Sequence, residues 1–171
     1  WPMAPKWISA AAYLAVGWAG ATAIPSLAGY AWTAFALLAA GAVLVTGVYG
    51  AGKSTVVADI GALLGERGER YGLLDVDWLG WFDSGIGHRE HRRAVLGNLA
   101  TVSSGFVVAG VRRLALAWSV RDHAQLDEVR LAVPVPLRVV RLEVSVALVE
   151  QRLSADPTEE RRGDDLRVAR D

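Results

Sequence analysis

The sequence contains no cysteine, which excludes a disulfide framework, a thiolate metal site and any thiol chemistry. Nor is there an excess of one charge: 18 Lys and Arg stand against 18 Asp and Glu, so a strongly basic nucleic-acid binder is not indicated. Disorder is excluded too, since 53% of the residues are hydrophobic and only 21% are charged. Charge is missing from one whole stretch, because Lys6 is the one charged side chain ahead of Lys53. The other 17 basic and 18 acidic side chains all follow. A length of 171 residues suits one domain of ordinary size and is short for two well-packed ones. The charge partition therefore predicts an apolar Ala- and Gly-rich segment over 1–41, ahead of a domain over 42–171.

Residues 7–24, closed by Pro25, form an uninterrupted apolar or small run near the lower length limit for a membrane-spanning helix. A second apolar run covers 27–45, but its end is wanted as a strand, which leaves too little for a second span. Two expectations stand for 7–24. One is a helix anchoring an otherwise cytoplasmic chain to a membrane; the other is a helical hairpin packed on the soluble domain. The chain opens on Trp1 rather than Met, as expected of a processed or excised chain.

The most informative residues are Gly47-Val48-Tyr49-Gly50-Ala51-Gly52-Lys53-Ser54, followed by Thr55, which satisfy G-x-x-x-x-G-K-[ST] without a gap. Their flanks agree. Residues 42–46 are a short β-branched run suited to a central parallel strand, and Val56, Val57, Ile60, Leu63 and Leu64 recur at helical spacing up to Gly65, a natural helix stop. Strand, glycine loop and helix are the order in which backbone amides and a helix N-terminus cradle a polyphosphate. Lys53 then reaches the β- and γ-phosphates and Ser54 ligates Mg2+. Thr55 is expected at the α-phosphate.

A second strand over 71–74 runs into Asp75-Val76-Asp77. Ligands of open α/β sheets gather beyond the carboxyl ends of the strands, so both carboxylates are expected in the crevice of the phosphate loop. One would accept the proton of a substrate hydroxyl and the other would hold a metal or its water. Trp78, Trp81 and Phe82 follow, either as core or as a stacking platform for a planar acceptor.

His88 to Arg93 opens a helix carrying Val95, Leu99, Val102 and Phe106, placed to cover the acceptor pocket. With no third ligand nearby, His88 and His91 read as a solvated face rather than a metal pair. A third strand is expected over 114–120. The acid that nucleotide hydrolases carry at this strand end comes late, and Asp122 with Gln125 forms a capping box instead. Arg121 is a candidate for gripping substrate. A fourth strand over 137–144 precedes a helix capped by Ser145, and Arg152, Arg161 and Arg162 gather around a second cap at Asp156-Pro157. Such arginines close over transferred phosphate, or else form an ordinary charged helix face.

The phosphate loop, the Leu74-Asp75-Val76-Asp77 stretch and the arginine-rich segment together resemble the P-loop small-molecule kinases, the group of adenylylsulfate, gluconate, shikimate and nucleoside kinases. The resemblance covers about 42–171. It implies a three-layer α/β fold with a parallel sheet ordered 2-3-1-4-5, ATP with Mg2+ as donor, and an arginine-bearing lid. On it Gly47, Tyr49, Gly50, Ala51, Gly52, Lys53, Ser54, Thr55 and Arg152 bind nucleotide, Ser54 and Asp75 bind the metal, and Lys53, Asp75, Asp77 and Arg162 act in catalysis. Trp78-Leu79-Gly80-Trp81 departs from the arginine that adenylylsulfate kinases commonly carry there. The fifth strand and closing helix of the group would lie past Asp171, so the resemblance implies an incomplete C-terminus with an exposed fourth strand, an aggregation hazard. The function expected is transfer of the γ-phosphate of Mg-ATP to a hydroxyl of a small metabolite or nucleoside. The rivals are a nucleotide hydrolase or switch, and a membrane-associated protein with a vestigial nucleotide site.

Overall fold

The computed structural model describes residues 13–16 and 41–154. Five strands form one sheet: β1 (Tyr13–Val16), β2 (Ala42–Gly47), β3 (Tyr71–Asp75), β4 (Arg113–Ala117) and β5 (Leu137–Glu143), in the order β1-β5-β2-β4-β3. Helices α1 (Lys53–Glu66), α2 (His88–Val108), α3 (His123–Ala132) and α4 (Val146–Ser154) complete the described part, with a 3-10 turn (Val76–Gly80) after β3. Strands β3, β4, β2 and β5 are parallel neighbours. This is the order 2-3-1-4 expected of the last four strands.

Strand β2 is central because it is apolar on both sides. Side chains alternate across a strand, so Val43 and Val45 pack with Val57, Ile60 and Leu64 of α1 on one face of the sheet. Ala42 and Leu44 go to the other, against Val95 and Leu99 of α2 and Val129 of α3. A sheet covered on both faces needs near-continuous hydrophobic strands, and burial of Ala42 through Val45 meets that need. The result is three layers.

Three local expectations shift. Gly65 lies inside α1, and the left-handed residue past its end is Gly68 at φ +66. Strand β4 stops at Ala117 rather than at 120, because the chain beyond it bonds to the end of β2 through side chains. There Val120 N donates to Thr46 Oγ1 at 3.0 Å and Ser119 Oγ to the Gly47 carbonyl at 3.2 Å. The third shift concerns the N-terminal segment. Within it Tyr13–Val16 is strand rather than helix and pairs antiparallel with β5, Tyr13 opposite Glu143 and Val16 opposite Val140. An open strand edge presents a row of backbone donors and acceptors, and Tyr-Leu-Ala-Val suits a pleated edge as well as it suits a helix. The outer edge of β5 is thus covered over Val140 to Glu143. Among the described residues no helix is long and apolar enough to cross a membrane.

The capping box at Asp122 is present in variant form. Asp122 Oδ1 accepts from Gln125 N at 2.8 Å, while Gln125 Oε1 accepts from Arg121 N at 3.0 Å. Replacing Asp122 by alanine is expected to cost about 1 kcal/mol, the usual value of an N-cap, measured by urea unfolding. An unchanged midpoint would show that the cap contributes nothing.

Candidate active site

At the carboxyl end of β2 the backbone turns through residues 48–52 into α1. Gly47, Gly50 and Gly52 have φ of 147, 76 and 94, a region that L side chains rarely adopt. Gly47 has a second constraint, because a Cβ there would sit 2.7 Å from the Leu142 carbonyl oxygen of β5. No side chain caps α1 at Gly52, and no acid lies in its first turn. The carboxylates near the positive end of this helix dipole come instead from the end of β3, Asp75 and Asp77.

Lys53, at the first helical position, is 7% exposed. Its Nζ donates to the Val48 carbonyl at 3.0 Å and lies 5.9 Å from the centre of the Tyr49 ring, which folds the ammonium back over the loop. Burial pulls its pKa below the ordinary 10.5, opposed by the charges of Asp77 and Asp75. Ser54 points the other way, donating from Oγ to Asp75 Oδ2 at 2.5 Å. Thr55 is exposed beside it.

The two carboxylates at the end of β3 make different contacts, while both act on Lys53. The parallel register sets Asp75 opposite Ala117, and Ala117 opposite Val45, which brings the end of β3 level with the phosphate loop. Asp75 also accepts from Asp77 N through Oδ1 at 3.2 Å, capping the 3-10 turn. Asp77 instead lines a cleft of about 450 Å³ beyond β4, together with His88, His91, Arg92, Trp118 and Arg121. Desolvation raises the Asp77 pKa above the ordinary 3.8 and Asp75 adds to the rise, while Lys53 and a hydrogen bond from the Trp118 indole oppose it.

Several wall residues were hidden from sequence reasoning. His91 is not a solvated face: its Nε2 donates to the Gly80 carbonyl at 2.9 Å, its ring meets Phe82 edge-on at 4.7 Å, and Asn98 Nδ2 donates to the Leu79 carbonyl at 3.0 Å. The turn carrying Asp77 is thereby fastened to α2. Arg92 lies on Trp118 at 4.9 Å and binds Glu128 through Nε at 2.8 Å. Polarity marked these positions as exposed, and only the packing of α2 over the end of β4 shows otherwise. Trp78 and Trp81 are 64% and 67% exposed with ring centres 4.6 Å apart, so neither is core. Arg161 and Arg162 lie outside the described residues, as does the side chain of Arg152.

A glycine loop between a central parallel strand and a helix, with an acid of the outer parallel strand bonded to the serine after the lysine, defines an α/β protein of the P-loop fold class. No protein-family model matches the chain, and no curated protein matches it. Among solved structures it is similar to APE1195, with 22% identity, 68% of each chain covered and a TM-score of 0.51. A putative fructose transport system kinase from Silicibacter sp. TM1040 is similar at 19% identity over 82% of this chain and 92% of that one, with a TM-score of 0.46. A shikimate kinase from Acinetobacter baumannii in complex with shikimate is similar at 22% identity over 78% and 76%, with a TM-score of 0.42. At such identity the likeness to APE1195 speaks to the fold alone.

Proposed function

We propose that the chain is a Mg-ATP-dependent phosphotransferase that moves the γ-phosphoryl group to a hydroxyl of a small molecule. One observation carries the reading: Asp75 is turned to the loop side, on Ser54, while Asp77 two residues on lines a cleft and its charge still acts on Lys53 of the loop. Donor and acceptor compartments thus meet at a single strand end, as transfer requires and hydrolysis does not.

The chain's own groups divide the work. The loop amides and Lys53 hold the β- and γ-phosphates. Ser54 and Asp75 present a hydroxyl and a carboxylate side by side, hard oxygen donors that suit Mg2+; the ion, when bound, supplies positive charge to the phosphoryl oxygens. Asp77 takes the acceptor's hydroxyl proton as that oxygen bonds to the γ-phosphorus, the bond to the bridging oxygen breaks, and ADP leaves. An acidic residue directly after β4, which a hydrolase would use, is replaced by Trp118, and Asp122 is committed to the cap of α3. That favours transfer.

Asp77→Asn is expected to lower kcat a hundredfold or more, within the range of about 10²–10⁴ for a positioned general base, with ATP affinity changed less than about twofold. The pH profile gives an independent check. The raised Asp77 pKa places the acidic limb of kcat/KM above the ordinary carboxylate value of 3.8, and activity falls as pH drops through it because the protonated acid no longer accepts. Transfer from γ-labelled ATP to a panel of hydroxylated compounds measures both. Full activity in Asp77→Asn would remove Asp77 from the mechanism, and failure of the wild-type chain to bind Mg-ATP would remove the reading.

A further inference from the structure

A single 3-10 turn is a weak support for a catalytic group, because its hydrogen bonds are poorly aligned and it runs for only a few residues. Asp77 is carried on such a turn, Val76–Gly80. The turn's own ties are few: Asp77 N donates to Asp75 Oδ1 at 3.2 Å, and Trp81 N to the Trp78 carbonyl at 3.4 Å. Beyond it the chain enters no helix or strand until α2 begins at His88.

What fixes the turn is α2. His91, Val95 and Asn98 are spaced four and three apart, so they lie along one face of that helix. His91 Nε2 donates to the Gly80 carbonyl at 2.9 Å, and Asn98 Nδ2 to the Leu79 carbonyl at 3.0 Å. A carbonyl oxygen only accepts, so the proton of that bond sits on His91 Nε2. Helix and turn approach too closely for another side chain, since a Cβ on Gly80 would lie 3.0 Å from Val95 Cγ2 and 3.4 Å from His91 Nε2. Phe82 extends the contact by meeting the His91 ring edge-on at 4.7 Å. At the other end of the turn Val76 is fully buried.

The same helix is a wall of the cleft, which His88, His91, Arg92 and Val95 line together with Asp77. An acceptor resting on α2 and the base that meets its hydroxyl are thus both referred to one rigid element, and proton transfer needs them within about 2.6–3.2 Å of each other. We infer that His91 and Asn98 are positioning residues, which hold Asp77 through the Leu79 and Gly80 carbonyls at a set place against the α2 wall of the acceptor cleft. The inference rests on the phosphotransferase reading for what Asp77 does; that α2 holds the turn does not depend on it.

Three variants separate the donor from the side chain that carries it. His91→Met and Asn98→Leu keep comparable size and lose the N–H, whereas His91→Gln places an amide N–H at a similar reach. Each of the first two is expected to lower kcat for transfer from γ-labelled ATP to gluconate, shikimate, fructose or adenosine by about tenfold to a hundredfold, the cost of a slightly misplaced group. KM for ATP should stay within about twofold, and His91→Gln should restore most of the rate. In an Asp77→Asn background His91→Met should cost nothing more, because the base it places is gone. A second readout needs no acceptor. Trp78 and Trp81 ride on the same turn with ring centres 4.6 Å apart, close enough for exciton coupling in far-ultraviolet circular dichroism. That couplet, assigned by its loss in Trp78→Phe, should collapse in His91→Met and Asn98→Leu and survive in His91→Gln. A couplet unchanged in the first two would show that the turn stands without α2 and overturn the inference. So would an undiminished kcat in both, no rescue by His91→Gln, or a full further loss in the Asp77→Asn background. Absence of transfer by the wild-type chain would strike the phosphotransferase reading alone, and the couplet would still decide whether α2 holds the turn.

Discussion

Replacing Lys53 by methionine is expected to lower kcat/KM for phosphoryl transfer by a hundredfold to a thousandfold, while the chain stays folded. Methionine keeps the length and apolar stem of the side chain and removes only the ammonium. A preorganised charge aimed at developing negative charge is typically worth about 10²–10³ in rate, and Lys53, itself buried, is the cation folded back over the loop by the Val48 carbonyl. Stability should hold for the converse reason. Burial lowers the folded-state pKa of Lys53, so folding disfavours its charged form, and the variant no longer desolvates a cation. The sign can be followed in pH. Between the depressed folded value and the ordinary 10.5 the unfolded chain binds more protons, so the lysine's contribution makes wild-type stability rise across that window. The variant lacks this rise. Labelled-ATP transfer and thermal midpoints across pH check both parts, and transfer within tenfold of wild type would withdraw Lys53 from the site.

The largest loss of stability is expected from Leu44→Ala, about 2–5 kcal/mol by the range for buried leucines. Leu44 is fully buried in β2, packed among Val95, Leu99, Leu114 and Leu116, and its neighbours belong to strands and helices that cannot all collapse into the void. The same truncation at Leu131, 89% exposed on α3, should fall within about 0.5 kcal/mol of wild type. Urea unfolding with an unchanged slope measures both. Equal costs at the two positions would mean that the sheet does not form the core described.

How much of this was legible beforehand depended on distance along the chain. The phosphate loop could be read because every residue that shapes it is contiguous, and its flanking strand and helix carry their own periodicities. Asp75 and Asp77 could be placed at a strand end, and the resemblance paired Asp75 with Ser54, but the hydrogen bond that Ser54 makes to it across 21 positions is visible in the structure alone. Arg92 and His91 were lost among polar neighbours on a helix whose polar side is not all turned to solvent. Sequence shows that a face is charged; it does not show what lies opposite. The strand Tyr13–Val16 was lost for a related reason, because a length criterion for apolar runs is blind to a distant edge with open hydrogen bonds.

The side-chain ties between the end of β2 and the residues after β4 bear on how the chain comes to work during its synthesis. Thr46 Oγ1 is held from 74 positions away and the Gly47 carbonyl from 72. A nascent chain that has emerged only as far as α1 therefore carries the complete glycine motif and lacks the groups that seat its first turn. Both ties can form only once residues 119 and 120 have been made, so the end of β2 is fixed late in synthesis.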